Sequence, residues 1–207
     1  QVKLRNLIRF LESGDKVRIF MEADGPRIAN KLGHALHDLD EEFAQFSRQP
    51  ALAAIAADIG FRTPRLMQSM YIFKHPRQGG EVTAHQDSTF LYTEPLSVVG
   101  FWFAMQKATI ENACLWALPG GHLEPLRQRY HRDGKGGTAF EIRDERPLPT
   151  DGYVPLEVPE GSLVLLHGQL PHKSEANTSA HPREAYTLHV VEGEADYPAD
   201  NWLQVGS

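Results

Sequence analysis

The residues with the clearest chemical potential begin at His85-Gln86-Asp87. On an extended backbone alternate side chains share a face, so His85 and Asp87 project together while Gln86 projects away. With one further imidazole, that pair completes a facial triad of two histidines and one carboxylate. Such a triad leaves three adjoining positions on Fe(II), enough for a bidentate cosubstrate and dioxygen. The bare tripeptide also fits a plainer reading, a surface turn closed by a His–Asp hydrogen bond. Gly79-Gly80-Glu81, a few residues earlier, marks a sharp turn just before it.

The second imidazole is sought in GSLVLLHGQLPHKS, residues 161–174. Ser162 to Leu166 reads as an apolar strand core, Gly168 and Pro171 break it, and His172 follows where the chain re-emerges. His172 is therefore the expected third ligand, and His85, Asp87 and His172 form the candidate metal-binding and catalytic set. His167, at the end of the apolar run, is expected to be a buried, hydrogen-bonded structural histidine. A dicarboxylate cosubstrate needs a cation at its far end, and arginine offers a planar fork for it. Arg183, directly before the strand Ala185 to Val191, can fill that role; the alternative is an exposed loop arginine.

The elements that must position these residues change character along the chain. The first sixty residues read as a helical lead. Val2, Leu4, Leu7, Ile8 and Leu11 fall near helical spacing before Gly14. Asp40 to Gln49 and Ala51 to Ile59 are further helical stretches, with Pro50 suited to a first turn and Gly60 to a position past the end. MEADGPR, residues 21–27, is a polar break. From Thr63 onward short runs rich in β-branched and aromatic residues predict strands over Arg65–Lys74, Val98–Gln106, Cys114–Leu118, Tyr153–Val158, Ser162–His167 and Ala185–Val191. This pattern predicts one domain over residues 1–207: an antiparallel β-sandwich or small barrel, core about 63–203, with helices packed outside. His131 to Asp151, rich in Gly, Pro and charge, reads as a long surface loop over a pocket.

Composition narrows the function classes. The chain has 207 residues, 41% hydrophobic and 23% charged, an ordinary globular balance. A formal charge of -6 disfavours a nucleic-acid partner. The apolar runs are too short to span a bilayer. A single cysteine, Cys114, excludes an intrachain disulfide and fits a cytoplasmic setting. The chain opens at Gln1 rather than methionine, so its true N-terminus is read as missing. Nothing in the sequence fixes an oligomeric state.

Several long stretches are also familiar: KLGHALHDLD, QSMYIFKHPRQGGEVTAHQDSTFLYTEPL, ENACLWALPGGH, GSLVLLHGQLPHKS, REAYTLHVVE and NWLQ. Through them the chain resembles the phytanoyl-CoA dioxygenase superfamily, most closely the phytanoyl-CoA dioxygenase domain-containing protein 1 group, from about Gly14 to Leu203. The resemblance implies a double-stranded β-helix (a cupin-like jelly roll) with Fe(II) held by His85, Asp87 and His172. It implies 2-oxoglutarate as cosubstrate with O2, its distal carboxylate held by Arg183 and Ser174, and Lys31, Met70 and Trp102 lining that pocket. It implies hydroxylation of a small organic substrate with release of succinate and CO2. Where the group commonly has Pro-Gly-Ser-His, this chain has Pro119-Gly120-Gly121-His122, so His122 is assigned a structural role.

Other residues receive quieter readings. His34 and His37 are expected to face solvent or cap a helix, although they lie near Lys31. Glu94 is read as a turn residue, Cys114 as a small buried hydrophobe, and Asn112 as a turn hydrogen-bonder. Phe90, Tyr92 and Trp116 are core or pocket wall, and Lys74 is a basic residue near the cavity. Two competing functions stay open: a cupin-like metal-binding protein that does not use 2-oxoglutarate, and a non-catalytic barrel.

Overall fold

A computed structural model describes residues 18–22 and 28–204. Its frame is two antiparallel sheets facing each other. The larger runs in the order β1 (Arg18–Met21), β2 (Ala29–His34), β3 (Pro64–Lys74), β12 (Arg183–Glu192), β5 (Val99–Ala104) and β10 (Leu163–His167). The smaller runs β4 (Val82–His85), β11 (His172–Ser174), β6 (Leu115–Ala117) and β9 (Val154–Leu156). β7 (Gln128–Arg132) and β8 (Thr138–Ile142) form a separate hairpin. This is the expected jelly roll, with flanking helices outside it.

The larger sheet divides its residues by parity, as the two-residue strand period requires. Tyr71, Phe73, Phe101, Phe103, Tyr186 and Leu188 are buried on its outer face. Among the described residues three helices cover that face: α1 (Leu36–Leu39), α2 (Glu41–Ser47) and α3 (Pro50–Asp58). Phe43 and Phe46 of α2 lie 4.8 Å and 5.9 Å from the Tyr186 ring, so the helices shield the sheet rather than the site. Asp40 caps α2 by accepting the N–H groups of Glu42 and Phe43, a contact worth about 1 kcal/mol. Pro50 opens α3, as expected. The inner face carries Met70, Ile72, Trp102, Thr187 and His189 toward the space between the sheets. Trp102, Ala104, Ala185, Cys114 and Leu115 pack across part of that space and leave a cavity in the rest.

The six strands anticipated after Thr63 all form, with ends shifted by a few residues. Two regions differ from expectation. Among the described residues the lead is helical within 36–58 and is preceded by β1 and β2, and the periodic stretch from Val2 to Leu11 lies outside the described residues. β2 (ANKLGH) has little intrinsic strand preference, and its pairing with β3 (Lys31 opposite Ile72, Gly33 opposite Met70) decides its conformation. The stretch from His131 to Asp151 is not one loop, because its first part is half of the β7–β8 hairpin. The turn is Asp133 to Gly137, where Asp133 Oδ1 accepts the N–H of Lys135 and of Gly137, both at 2.8 Å. Among the described residues no helix is long and apolar enough to cross a membrane.

Candidate active site

The local backbone delivers His85 and Asp87 to one point. His85 ends β4, Gln86 is extended (φ -115°, ψ 130°), and Asp87 opens a short 3-10 turn, Asp87–Thr89. Gln86 points away and is locked in place. Its amide donates to the carbonyls of Gln169 (2.8 Å) and Pro125 (3.3 Å), and its oxygen accepts the N–H of Arg127 (3.0 Å). β11 pairs with β4 so that His172 faces His85 directly.

The three side chains meet. His85 Nε2 and His172 Nε2 each lie 3.7 Å from Asp87 Oδ1, and one ligand atom from each residue falls within 4.8 Å of the other two. The Nδ1 atoms are spoken for. His85 Nδ1–H donates to Thr83 O (2.8 Å) and His172 Nδ1–H to Leu170 O (3.0 Å). Those bonds fix the tautomer that turns both Nε2 lone pairs toward Asp87. Burial raises the Asp87 carboxyl, but the imidazoles of His172, His189 and His85 outweigh it and hold the group well below the usual carboxylate range. Burial, then the neighbouring His172, pushes His85 down to about 4. An ionised carboxylate beside a neutral imidazole is the protonation pattern metal ligation needs. Asp87 Oδ2 is buried without a hydrogen bond, with His189 Nε2 3.3 Å away but poorly aligned. A buried carboxylate left this way is costly unless a cation meets it, so the donor set fits a metal ion.

Two cavities join at this point. The inner one, about 190 Å³, reaches between the sheets to Arg183 and Ser174; the outer one, about 970 Å³, opens toward the β7–β8 hairpin. His85, Asp87, His189, Lys31 and Met70 border both. Arg183 is 2% exposed, has no ion pair among the described residues, and lies 5.5 Å from the Trp102 ring. Its Nε donates to Ala113 O and its Nη2 to Ser174 Oγ, both at 3.0 Å. Ser174 Oγ also donates to Ala113 O at 3.0 Å. Ala113 adopts the left-handed region (φ 73°), which costs a non-glycine residue on the order of 1 kcal/mol and aims that carbonyl at both partners. Lys74, opposite Arg183 in the β3–β12 ladder, adds a second buried cation. Burial and then the charge of Arg183 lower its pKa to about 8.

The structure thus brings His85, Asp87, His172, Arg183, Ser174, Lys31, Met70 and Trp102 to one pair of cavities. Three histidine readings change. His167 is exposed rather than buried, its Nδ1 accepting the N–H of Gln169 and its ring 5.5 Å from His122. His37 is 1% exposed, its Nδ1 2.7 Å from Ser69 Oγ, and His34 is 8% exposed, its Nδ1 2.8 Å from the Gln68 amide nitrogen. His189, Tyr130, Phe140 and Trp202 are cavity residues that the sequence reading did not single out. His189 shares strand parity with Arg183 and Thr187, a usable signal; Phe140 falls in the segment expected to be a loop, and Tyr130 lies just before it.

Fold and site together define a jelly-roll oxygenase of the Fe(II)- and 2-oxoglutarate-dependent class. The chain belongs to the phytanoyl-CoA dioxygenase family, whose family model, "Phytanoyl-CoA dioxygenase (PhyH)", matches residues 3–185. It is 44% identical to mouse phytanoyl-CoA dioxygenase domain-containing protein 1 over 211 aligned residues, 94% of this chain and 72% of the mouse protein. It is 41% identical to a phytanoyl-CoA dioxygenase of Arabidopsis thaliana over 94% of this chain and 72% of that protein. Among solved structures, the non-heme alpha ketoglutarate dependent carbocyclase SnoK from nogalamycin biosynthesis superposes with a TM-score of 0.72. It is 20% identical, covering 100% of this chain and 84% of SnoK. EctD from S. alaskensis, solved with 2-oxoglutarate and 5-hydroxyectoine, also gives 0.72 at 19% identity, covering 94% and 67%. At that identity these likenesses speak to the fold.

Proposed function

We propose that the protein is an Fe(II)- and 2-oxoglutarate-dependent dioxygenase that hydroxylates a small organic molecule, with His85, Asp87 and His172 as its metal ligands. The observation that carries this reading is the position of the three ligands, at the junction of an outer cavity open to solvent and an inner cavity ending in Arg183, buried and with no ion pair among the described residues. Bound Fe(II) and 2-oxoglutarate supply the oxidising power, one oxygen atom of O2 going to succinate, with loss of CO2, and the other to the substrate. The chain supplies the rest. Arg183 and Ser174 bind the distal carboxylate of 2-oxoglutarate, and Trp102, Met70 and Lys31 wall the inner chamber so that the cosubstrate has one orientation. The Nδ1–H bonds to Thr83 O and Leu170 O hold both rings in one orientation, with their Nε2 atoms aimed at the metal position. The acidic balance of the chain supports a small-molecule substrate over a nucleic acid.

A metal-binding protein without 2-oxoglutarate would leave Arg183 with no anion to hold. Calorimetry with Mn(II) in place of iron tests the choice. Saturable 2-oxoglutarate binding that requires Mn(II) and is lost in Arg183→Ala is expected; no binding in the wild type would reject the oxygenase reading. Succinate formation, rising when substrate is present, then reports turnover.

A further inference from the structure

The outer cavity has a lining that selects for a substrate class. Starting at His85, a run of rings passes around it in edge or tilted contact. His85 to Phe90 is 6.1 Å between centroids, Phe90 to Tyr130 5.8 Å, and Tyr130 to Trp202 5.9 Å. Trp202 to His34 is 4.9 Å and His34 to Phe20 5.5 Å. Phe140 of β8 packs 4.7 Å from Tyr130 and is 51% exposed. Flat walls of this kind favour flat or ring-bearing bodies, which stack with little loss of freedom on either side. A volume of about 970 Å³ leaves room for a body of several rings.

Aromatic walls alone would serve a cation as well as an anion, and the charges decide between them. Among the described residues the lining contains two cations, Lys31 and Arg132, and one carboxylate, Asp87, committed to the metal in the proposed function. Neither cation has an ion pair among the described residues. Lys31 Nζ lies 4.4 Å from the Phe20 ring centroid, and Arg132 Nε donates to Trp202 O at 3.3 Å. Asp200, whose carbonyl accepts the Arg132 N–H, gives its carboxylate to Arg129. Burial disfavours the charged form of Lys31, so an incoming anion would relieve a cost already present. Arg132 stands on the hairpin at the exposed rim, where a carboxylate can reach it while the body lies along the rings toward His85.

We infer that the outer cavity takes a ring-bearing organic acid, its carboxylate held by Arg132 in the positive field that Lys31 reinforces, and its apolar body laid against Phe90, Tyr130 and Trp202. This rests on the proposed function for the reaction but not for the binding. Two cations are few for the several phosphate charges of a coenzyme A ester, so the free acid is the better fit.

The test compares matched probes by calorimetry on the intact protein, with and without Mn(II) and 2-oxoglutarate: 2-naphthylacetate, its amide, decanoate and decanoyl-CoA. The naphthyl acid should bind at least tenfold more tightly than its amide or decanoate. Arg132→Gln should erase the preference for acid over amide, and Phe140→Ala should weaken acid and amide alike. Equal binding of acid and amide, tightest binding of decanoyl-CoA, absence of naphthyl acid binding, or an Arg132→Gln variant that keeps the acid preference would each overturn the inference. Such a failure with 2-oxoglutarate still binding in the presence of Mn(II) touches the substrate class alone. Loss of 2-oxoglutarate binding touches the proposed function, and the acid–amide comparison is then read without cosubstrate.

Discussion

His172 sits directly opposite His85 in the β4–β11 ladder, with their ring centroids 4.3 Å apart. Backbone pairing between two short strands therefore sets the spacing of the two imidazoles. A slip of one residue in that register would turn His172 to the opposite face of the sheet. The irregularity in the ladder falls between His172 and Ser174, where β4 carries one extra residue, so the histidine pair itself keeps regular pairing.

Asp87 closes the triad, and its removal separates ligation from folding. In Asp87→Ala, Mn(II) affinity should fall on the order of a hundredfold or more, and 2-oxoglutarate turnover should cease. The apo variant should still fold, because the turn at position 87 is also held by backbone bonds, from Phe90 N–H and Leu91 N–H to Asp87 O and from Ser88 N–H to Gly168 O. An electron-spin titration of Mn(II) beside a melting curve checks both halves; wild-type Mn(II) affinity would remove Asp87 from the ligand set.

Gly100 of β5 guards the same carboxylate from behind. A Cβ there would lie 3.0 Å from Asp87 Oδ2, 3.5 Å from His189 Nε2 and 3.5 Å from Leu166 Cβ. Gly100→Ala should fold, at a cost of about 1–3 kcal/mol for the crowding, and should bind Mn(II) more weakly because Asp87 has to shift. Circular dichroism melting and metal titration give the two numbers. Unchanged metal affinity would mean that the carboxylate has room to spare.

Arg183→Ala should raise the KM for 2-oxoglutarate at least tenfold with a smaller effect on kcat, since the lost contact is remote from the reacting carbon. The same substitution should be felt at Lys74. Burial is the main reason Lys74 titrates near 8, and the charge of Arg183 is the next. Without Arg183 the Lys74 pKa should rise, and its reactivity toward an amine-directed acylating reagent at pH 8 should drop. A Lys74 pKa that stays put would show that burial alone sets it.

Sequence carried the site further than it carried the fold. His85 and Asp87 were legible because a two-residue period on an extended chain is a local rule, and His172 because Gly168 and Pro171 mark where its strand restarts. β3, β5, β10 and β12 were legible from their β-branched and aromatic content. β2 was not, because Asn30, Lys31 and Gly33 become a strand only by pairing with β3. The burial of His34 and His37 depends on Gln68 and Ser69, partners that are distant in sequence. The left-handed Ala113, which aims the carbonyl that Arg183 and Ser174 share, has no local signature at all.

The last prediction concerns acid stability away from the site. Glu192, at the end of β12, accepts the backbone N–H of Arg62 at 2.8 Å and of Thr63 at 3.0 Å, tying the strand to the segment that leads into β3. The Arg62 bond leads in lowering its pKa to about 2, against an ordinary 4.5. A depressed carboxylate binds fewer protons in the folded state than in the unfolded one, so its contribution is complete above pH 4.5 and fades as pH falls through about 2. Glu192→Gln keeps an acceptor oxygen but loses the charge. Denaturant unfolding across a pH series should therefore show the variant less stable than wild type at neutral pH, the gap closing steadily below pH 4.5. A gap that stays constant down to pH 2 would assign the effect to hydrogen-bond geometry rather than to the carboxylate charge.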